Sequence, residues 1–328
     1  MKRAMPNIDK KDKIFIAGHK GMVGSAILRN LKSKGYDNLI TKTRQELDLT
    51  RQSDVESFFS ENRPDVVIDC AAQVGGIHSN NVYRADFIRN NLEIQNNLIH
   101  TSSINDVKKL LFLGSVCIYP KFTEQPIREE YLLSGRLEPT NEPYAIAKIA
   151  GIKMCESYYK QYGKNFFSVM PANLYGTNDN FHPENSHVLP ALMRRFHEAK
   201  AEGKEVVTVW GTGQAMREFM HVDDLADACV HLLEKVEAEE VYSDGVSQIN
   251  IGTGSDVSIA NLARIIADVV GYDGEIEFDL SKPDGTLKRV LDSGRLNRFG
   301  WKHKITLVDG LRNTYEWYKN NIDKLRNV

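Results

Sequence analysis

The first half of the chain alternates short apolar runs with helical patterns, and this alternation constrains the fold more than any other feature. Two of the runs, at 65–72 and 108–115, are apolar almost throughout, as expected for strands that are covered on both faces. Helical patterns separate or follow the runs, over 22–34, 53–62, 85–103 and 143–162. A βαβα order of this kind predicts an α/β fold with a doubly wound parallel sheet.

Three glycines, Gly18, Gly21 and Gly24, come directly after the first apolar run, where a helical pattern begins. Glycines at a strand-to-helix turn allow a tight bend and let a pyrophosphate approach the amino end of the helix. Their spacing is GxxGxxG rather than GxGxxG, and glycine is common in turns, so an ordinary turn is the alternative. At the head of a βαβ series, the triplet predicts a dinucleotide site in a Rossmann-type domain.

The segment after the second predicted strand, at 38–43, indicates which dinucleotide would bind. An acidic residue there would accept hydrogen bonds from the ribose 2′-hydroxyl of NAD. Arg44 stands at that place, no acid follows the strand directly, and Lys20 lies within the glycine loop. Two cations suit a 2′-phosphate, so we expect NADP; the alternative is that both are solvated surface charges.

The second half has longer and more polar loops and predicts a smaller α/β lobe over the carboxyl edge of the sheet. The stretch 259–270 is typical of an amphipathic helix that ends at Gly271, whereas 221–235 predicts a helix that returns to the first lobe. We therefore expect a flexible leader at 1–12, an NADP-binding domain at 13–175 plus about 212–255, and a substrate domain at 176–211 plus 256–328.

Composition argues against several classes of protein. The formal net charge is −2 with no basic stripe, so nothing points to nucleic acid. No apolar run approaches the length of a membrane span, and residues 1–12 lack the apolar core of a signal peptide. Cys70, Cys117, Cys155 and Cys229 are widely spaced, which indicates neither a disulfide framework nor a zinc site. We expect a cytoplasmic protein without a metal.

Ser115 closes the apolar run at 108–115, which is the fourth predicted strand. Tyr144 and Lys148 lie four residues apart in the helical pattern at 143–162, hence on one helix face. A lysine near a phenol favours the phenolate and would lower the pKa of Tyr144, which suits it to proton transfer near neutral pH. The YxxxK spacing also occurs by chance on helix surfaces. Its place after the fourth strand makes a Ser–Tyr–Lys group geometrically natural.

Cys117 lies two residues beyond Ser115, where the strand is expected to end. Free cysteine behaves as a small buried apolar residue, so Cys117 taken alone would be structural. A cation such as Lys148, or a helix terminus, would lower the pKa of its thiol towards neutrality. Beside Ser115 and Tyr144, the thiol becomes a candidate acid–base group.

These residues lie in motifs that resemble the extended short-chain dehydrogenase/reductase family, from about residue 13 to near the carboxyl end. The similarity is carried by FIAGHKGMVGSAI, AAQVGGI, LLFLGSVCIYP, EPTNEPYAIAKIAGIK, NLYGTNDNFHPENSHVLPAL, MREFMHVDDLA and SKPDGT. Within the family, the motifs resemble members that epimerise GDP-4-keto-6-deoxy-D-mannose at C3 and C5 and then reduce C4 with NADPH to give GDP-L-fucose. The resemblance implies the same activity here, with NADP(H) as cofactor, a GDP-sugar as substrate and a homodimer paired through the YxxxK helix.

The resemblance also implies roles for single residues. Ser115, Tyr144 and Lys148 would form the reductase triad, and Cys117 and His187 would move protons at C3 and C5. The residues expected to line the cofactor are Gly18, Lys20, Gly21, Met22, Val23, Gly24, Arg44, Asp48, Leu49, Leu113, Gly114, Ser115, Lys148, Pro171, Asn173, Leu174 and His187. The residues expected to contact the GDP-sugar are Arg195, Trp210, Arg217 and Asp284.

Each of the outlying positions has a plainer alternative. Arg195 and Arg217 could be solvated surface charges, and Trp210 could be a core residue. Asp284 could be an ordinary turn residue, and His187 could cap a helix. Three positions depart from the family pattern: Lys20 where arginine is expected, Arg289 where lysine is expected, and Gln73 in a motif that often carries lysine. Lysine at position 20 keeps the charge but loses the guanidinium fork that grips a phosphate.

Other functions on the same scaffold stay open at this stage. One is a nucleotide-sugar 4-epimerase or 4,6-dehydratase, although a 4,6-dehydratase usually carries an acid beside the strand-end serine, where this chain has Val116 and Cys117. Another is a non-catalytic NADP-sensing protein, against which the intact Ser115, Tyr144 and Lys148 argue.

Overall fold

The computed structural model describes residues 7–183, 186–282, 284 and 286–325, without the side chains of residues 77 and 78. Residues 1–6 of the expected leader lie outside the described part of the chain. The described remainder of the leader packs on the body: Ile8 is buried, and Asp12 pairs with Lys108 at 2.6 Å. Packing therefore extends ahead of the expected domain start at residue 13.

In the described part of the chain, the strands are β1 Ile14–Ala17, β2 Leu39–Ile40, β3 Val66–Asp69, β4 Lys109–Leu113, β5 Phe166–Pro171, β6 Asn173–Tyr175, β7 Val206–Trp210, β8 Met216–Arg217, β9 Phe219–His221, β10 Ile249–Ile251, β11 Val257–Ser258, β12 Glu275–Asp279 and β13 Lys288–Arg289. The helices are α1 Met22–Ser33, α2 Gln52–Asn62, α3 Ile77–Val82, α4 Arg84–Ile104, α5 Glu142–Tyr162, α6 Val188–Glu202, α7 Val222–Lys235, α8 Ala238–Tyr242, α9 Ile259–Val270, α10 Gly294–Arg298 and α11 Leu307–Asn321.

Six strands form one parallel sheet in the order β2–β1–β3–β4–β5–β10. Every residue of β1, β3, β4 and β5 is buried, which explains why these strands are almost continuously apolar. The sequence-based prediction of an α/β fold with a doubly wound parallel sheet is confirmed.

Helices cover both faces of this sheet. On β4, Lys109 reaches one face, where its Nζ donates to the carbonyls of Leu233 and Val236 at the end of α7, 3.0 Å each. Phe112, three residues on, points to the other face, where its ring closely approaches Gly151 of α5. Side chains three apart in a strand face opposite ways, so α7 with its neighbour α1 and α5 with its neighbour α4 form two separate layers.

A second apolar core lies beside the sheet and is built from α6, α9, α11 and the pair β7–β12. The amphipathic helix α9 ends as expected at Gly271, which adopts the left-handed conformation. Helix α7 returns to α1 on the first core, also as expected. Leu291, Leu296 and Trp301, beyond the second lobe's expected start, pack on the first core as well.

Lys288 and Arg289 form the short strand β13. β13 and β11 flank β8 in a small three-stranded sheet. This pairing sets Arg289 beside Arg217. None of the helices in the described ranges is both long and apolar enough to cross a membrane.

Candidate active site

The glycine loop joins β1 to α1 with almost no free space. Gly18 has φ +76°, and a Cβ added to it would lie 2.8 Å from the carbonyl oxygen of Cys70. A Cβ on Gly24 would collide with the Gly18 carbonyl. Both positions therefore require glycine, and α1 starts at Met22 after Gly21, with no acidic residue in its first turn. The amides at this helix start fit a pyrophosphate.

Basic side chains surround the outer end of this loop. Lys20 and Arg44 are exposed, and Lys42, which sequence reasoning missed, lies within electrostatic reach of Glu46 together with Lys20. His19 Nδ1 is buried and has no hydrogen-bond partner among the described residues. Several cations and one unsatisfied imidazole nitrogen fit an additional phosphate group better than a bare ribose hydroxyl.

Two further predicted cofactor residues follow the same segment. Asp48 holds its own loop, since its Oδ1 accepts hydrogen bonds from the Thr50 amide at 3.1 Å and the Thr50 hydroxyl at 2.7 Å. The carbonyl of Leu49 accepts a hydrogen bond from Asn97 of α4 at 2.9 Å. The Asp48 carboxylate is thus occupied by its own loop.

The carboxyl ends of β4 and β5 lie side by side. The amide of Gly114 donates to the Val169 carbonyl at 2.9 Å, and Lys148 Nζ donates to the Leu113 carbonyl at 2.8 Å. Beyond Pro171, which ends β5, Asn173 and Leu174 form β6, and the Asn173 amide donates to the Glu218 carbonyl at 2.9 Å. This sheet edge is where open α/β sheets bind ligands.

Ser115, Tyr144 and Lys148 meet at the end of β4. Ser115 caps the 3-10 helix Val116–Ile118, with its Oγ accepting the Cys117 amide at 3.4 Å, and its hydroxyl lies near enough to the Tyr144 phenol to lower the pKa of that phenol. The Lys148 ammonium lies 6.0 Å from the Tyr144 ring centroid. The predicted triad therefore forms one cluster.

The electrostatics of Tyr144 differ from the sequence-based expectation. Burial, the nearby Cys117 and Asp69 raise the pKa of the Tyr144 phenol, and the Ser115 hydroxyl opposes them. Lys148 points to the Leu113 carbonyl, and burial lowers its pKa in turn. Tyr144 is consequently a protonated phenol at neutral pH, which equips it to donate a proton.

Cys117 is 8% exposed and lies beside this group, within the same small apolar cluster as Tyr144. Burial raises the pKa of its thiol, contrary to expectation, while Ser115, Arg289 and Lys148 act in the opposite direction. Arg289 is the contribution that the sequence did not reveal: its guanidinium donates to the carbonyls of Val116 at 3.0 Å, Tyr119 at 3.3 Å and Pro120 at 3.2 Å.

Arg289 therefore holds the Cys117 segment in place, and its replacement should loosen that segment. We expect Arg289→Met to leave three carbonyls without their donor and to slow the proton exchange predicted for Cys117 at least tenfold, with a stability loss of about 1–3 kcal/mol. Arg289→Lys keeps the charge but not the guanidinium fork, so its exchange rate and its stability should lie between those of the wild type and Arg289→Met. The measurements are solvent deuterium exchange into the sugar and urea unfolding; wild-type exchange in Arg289→Met would contradict the role.

His187 lies at the amino-cap position of α6 and is exposed, and its side chain makes no capping hydrogen bond. Protein mass around the ring nevertheless desolvates it and lowers the pKa of the imidazole. Among the described residues, no hydrogen bond joins the ring to Cys117 or Tyr144. The structure thus places His187 at a helix start without pairing it to the thiol.

The predicted substrate residues form two groups. Arg217 and Arg289 lie side by side at paired positions of β8 and β13, and both are half-buried. Burial lowers the pKa of each guanidinium group. Two adjacent guanidinium groups would suit a shared anion, such as a diphosphate.

The second group surrounds Trp210, which is 63% exposed. The Arg195 guanidinium lies 5.8 Å from the Trp210 ring centroid and Lys282 Nζ 5.5 Å from it. Asp284 accepts hydrogen bonds from the Thr212 amide at 2.9 Å and the Thr212 hydroxyl at 2.7 Å. Trp210 is thus a surface platform rather than a core residue, whereas Asp284 fixes the loop after β7.

Comparison with known proteins identifies the family of this chain. Residues 14–252 match the model of the NAD dependent epimerase/dehydratase family. The chain is 60% identical to GDP-L-fucose synthase 1 of Arabidopsis thaliana, over 96% of this chain and 95% of that protein. It is 56% identical to GDP-L-fucose synthase of Escherichia coli K12, over 96% and 99%.

Among solved structures, the NADP-bound GDP-mannoheptose C4 reductase MlghC of Campylobacter jejuni superposes with a TM-score of 0.88 at 45% identity, over 95% of this chain and 99% of that one. The family model covers more than half of the chain and these relatives are similar along nearly their whole length, so the chain belongs to the NAD dependent epimerase/dehydratase family.

Proposed function

We propose that this chain converts GDP-4-keto-6-deoxy-D-mannose into GDP-L-fucose, by epimerisation at C3 and C5 followed by reduction of the C4 ketone with NADPH. The observation that carries the proposal is the joining of two kinds of proton-transfer group, Cys117 and the Ser115–Tyr144–Lys148 cluster, at one strand end. The synthases of Arabidopsis and E. coli, similar along nearly their whole length, support it.

The chemistry explains why both kinds of group belong together. In a 4-keto sugar, C3 and C5 flank the same carbonyl, so groups that polarise the C4 oxygen acidify both hydrogens. Ser115 and Tyr144 would hold that oxygen throughout, and Tyr144 would later protonate it. Cys117 would take or return the proton at C3 and C5, with His187 serving the opposite face of the sugar.

NADPH supplies the hydride for C4 when it is bound. The amides at the start of α1 would hold its pyrophosphate, and Lys20, Lys42 and Arg44 would surround the 2′-phosphate. Lys148, which donates a hydrogen bond to the Leu113 carbonyl, would orient the nicotinamide ribose. Arg217 and Arg289 would share the substrate diphosphate, and Trp210 would stack on its base.

The protein is proposed to act as a cytoplasmic homodimer. Exposed apolar side chains on α4 and α5, namely Ile104, Ile146 and Tyr162, provide a surface that a second copy would cover. The domain division at about residue 176 is retained as part of the proposal, with the two apolar cores in its support.

The test is turnover of GDP-4-keto-6-deoxy-D-mannose with NADPH and with NADH, with the product stereochemistry assigned by NMR. We expect GDP-L-fucose and at least a tenfold higher kcat/KM with NADPH. A product reduced at C4 but not inverted at C3 and C5 would indicate a simple 4-reductase. If the protein binds NADPH but no keto sugar oxidises that NADPH, the chain is a non-catalytic NADP-sensing protein.

A further inference from the structure

A buried carboxylate lies at the end of β3, and none of the steps above uses it. Asp69 is 0% exposed. Its Oδ1 accepts the Ala71 amide at 3.1 Å, whereas its Oδ2 is buried with no hydrogen-bond partner among the described residues. A buried carboxylate that is only half satisfied is costly. Its presence therefore calls for a charge or a donor nearby.

Strand register shows where that charge lies. Asp69 is paired with Phe112 of β4, and paired residues of neighbouring parallel strands point to the same face of the sheet. The Phe112 ring faces α5, where Lys148 Nζ lies 4.6 Å from its centroid. The same Nζ donates to the carbonyl of Leu113, the residue after Phe112. Asp69 and Lys148 thus lie near the same ring, inside the layer between the sheet and α5.

Asp69 and Lys148 each influence the pKa of the other. Burial lowers the pKa of Lys148, and Asp69 opposes this more than Cys117 or Cys70 does. Burial raises the pKa of Asp69 to about 6, and Lys148 is the leading influence that lowers it. The other titratable groups that sense Asp69 include Tyr144 and Cys155 of α5, and burial raises the pKa of both. Asp69 is therefore the anionic counter-charge to Lys148 at neutral pH.

We propose that Asp69 is a positioning residue for the catalytic lysine, a carboxylate on the sheet side of Lys148 that keeps its ammonium charged and directed at the strand end. Asp69 itself touches neither cofactor nor sugar. The inference deepens the proposed function, because its kinetic consequence falls on the C4 reduction.

The kinetic test is the pH profile of reduction in Asp69→Asn, which removes the charge and keeps the shape. Without its counter-charge Lys148 loses its proton more easily, so the alkaline fall in kcat should move about one pH unit lower. The rate near pH 6 should stay within about threefold of wild type. Ser168→Ala is the matched control, because Ser168 is equally buried and pairs with Phe112 from β5. An unmoved limb in Asp69→Asn, or an equal shift in Ser168→Ala, would overturn the proposal.

A stability test needs no turnover, so it stands even if the proposed function fails. A carboxyl with a raised folded-state pKa stabilises the protein below its unfolded pKa, and this stabilisation is lost as pH rises through the folded pKa, here about 6. In Lys148→Met the pKa of Asp69 should rise further, so the free energy of unfolding should keep falling between pH 6 and 8. The double variant Asp69→Asn/Lys148→Met should lack this fall in urea unfolding. A flat Lys148→Met profile would overturn the proposal.

Discussion

Cys117→Ser should abolish most solvent deuterium incorporation at C3 and C5 while leaving hydride transfer to an already epimerised ketone intact. Serine keeps the size of the side chain, but its hydroxyl is far less acidic than a thiol. Removing a proton-transfer group of this kind typically costs about 10²–10⁴-fold in rate. The measurement is turnover in heavy water with NMR of the product, beside single-turnover reduction of the epimerised ketone.

Cys155→Ser serves as the matched control for this variant. Cys155 is a buried thiol of α5 that lies near Ser168 of β5. We expect it to incorporate deuterium at the wild-type rate. Undiminished labelling in Cys117→Ser would remove the thiol from epimerisation and leave Cys117 as a structural residue of its small apolar cluster.

The sheet and its main helices could be predicted because periodicity is a local signal. Helix α1, expected over 22–34, spans Met22–Ser33, and α5, expected over 143–162, spans Glu142–Tyr162. Ser115 and Tyr144 could also be placed together from the sequence. In a parallel sheet, the end of β4 and the start of the following helix α5 lie at the same edge. Where the order of elements decides the geometry, sequence reasoning was sufficient.

The electrostatics of the site could not be predicted in this way, because desolvation depends on the completed fold. The expected fall in the pKa of Tyr144 and Cys117 is reversed by burial. Asp69 looks like one more residue of a buried strand, and nothing local marks it as a partner of Lys148. The contact of Arg289 with Val116 spans 173 residues. Such long-range pairing leaves no trace in spacing.

Tyr144→Phe should slow C4 reduction by about 10²–10⁴-fold, because the developing alkoxide loses its proton donor. Exchange at C3 and C5 should persist in part, since Ser115 still holds the C4 oxygen and Cys117 is untouched. This pattern is the converse of that expected for Cys117→Ser, so the two variants together separate epimerisation from reduction. The measurements are NADPH oxidation in single turnover and deuterium incorporation from heavy water.

Tyr159→Phe provides the control on the same helix. Its ring stacks on Tyr242 with centroids 4.8 Å apart, remote from the strand end, so both steps should run at wild-type rates. Because burial raises the pKa of Tyr144, its phenol stays protonated through the neutral range, and the alkaline limb of reduction reports Lys148 instead. A normal reduction rate in Tyr144→Phe would remove the phenol from its role and leave Ser115 or water as the source of the proton.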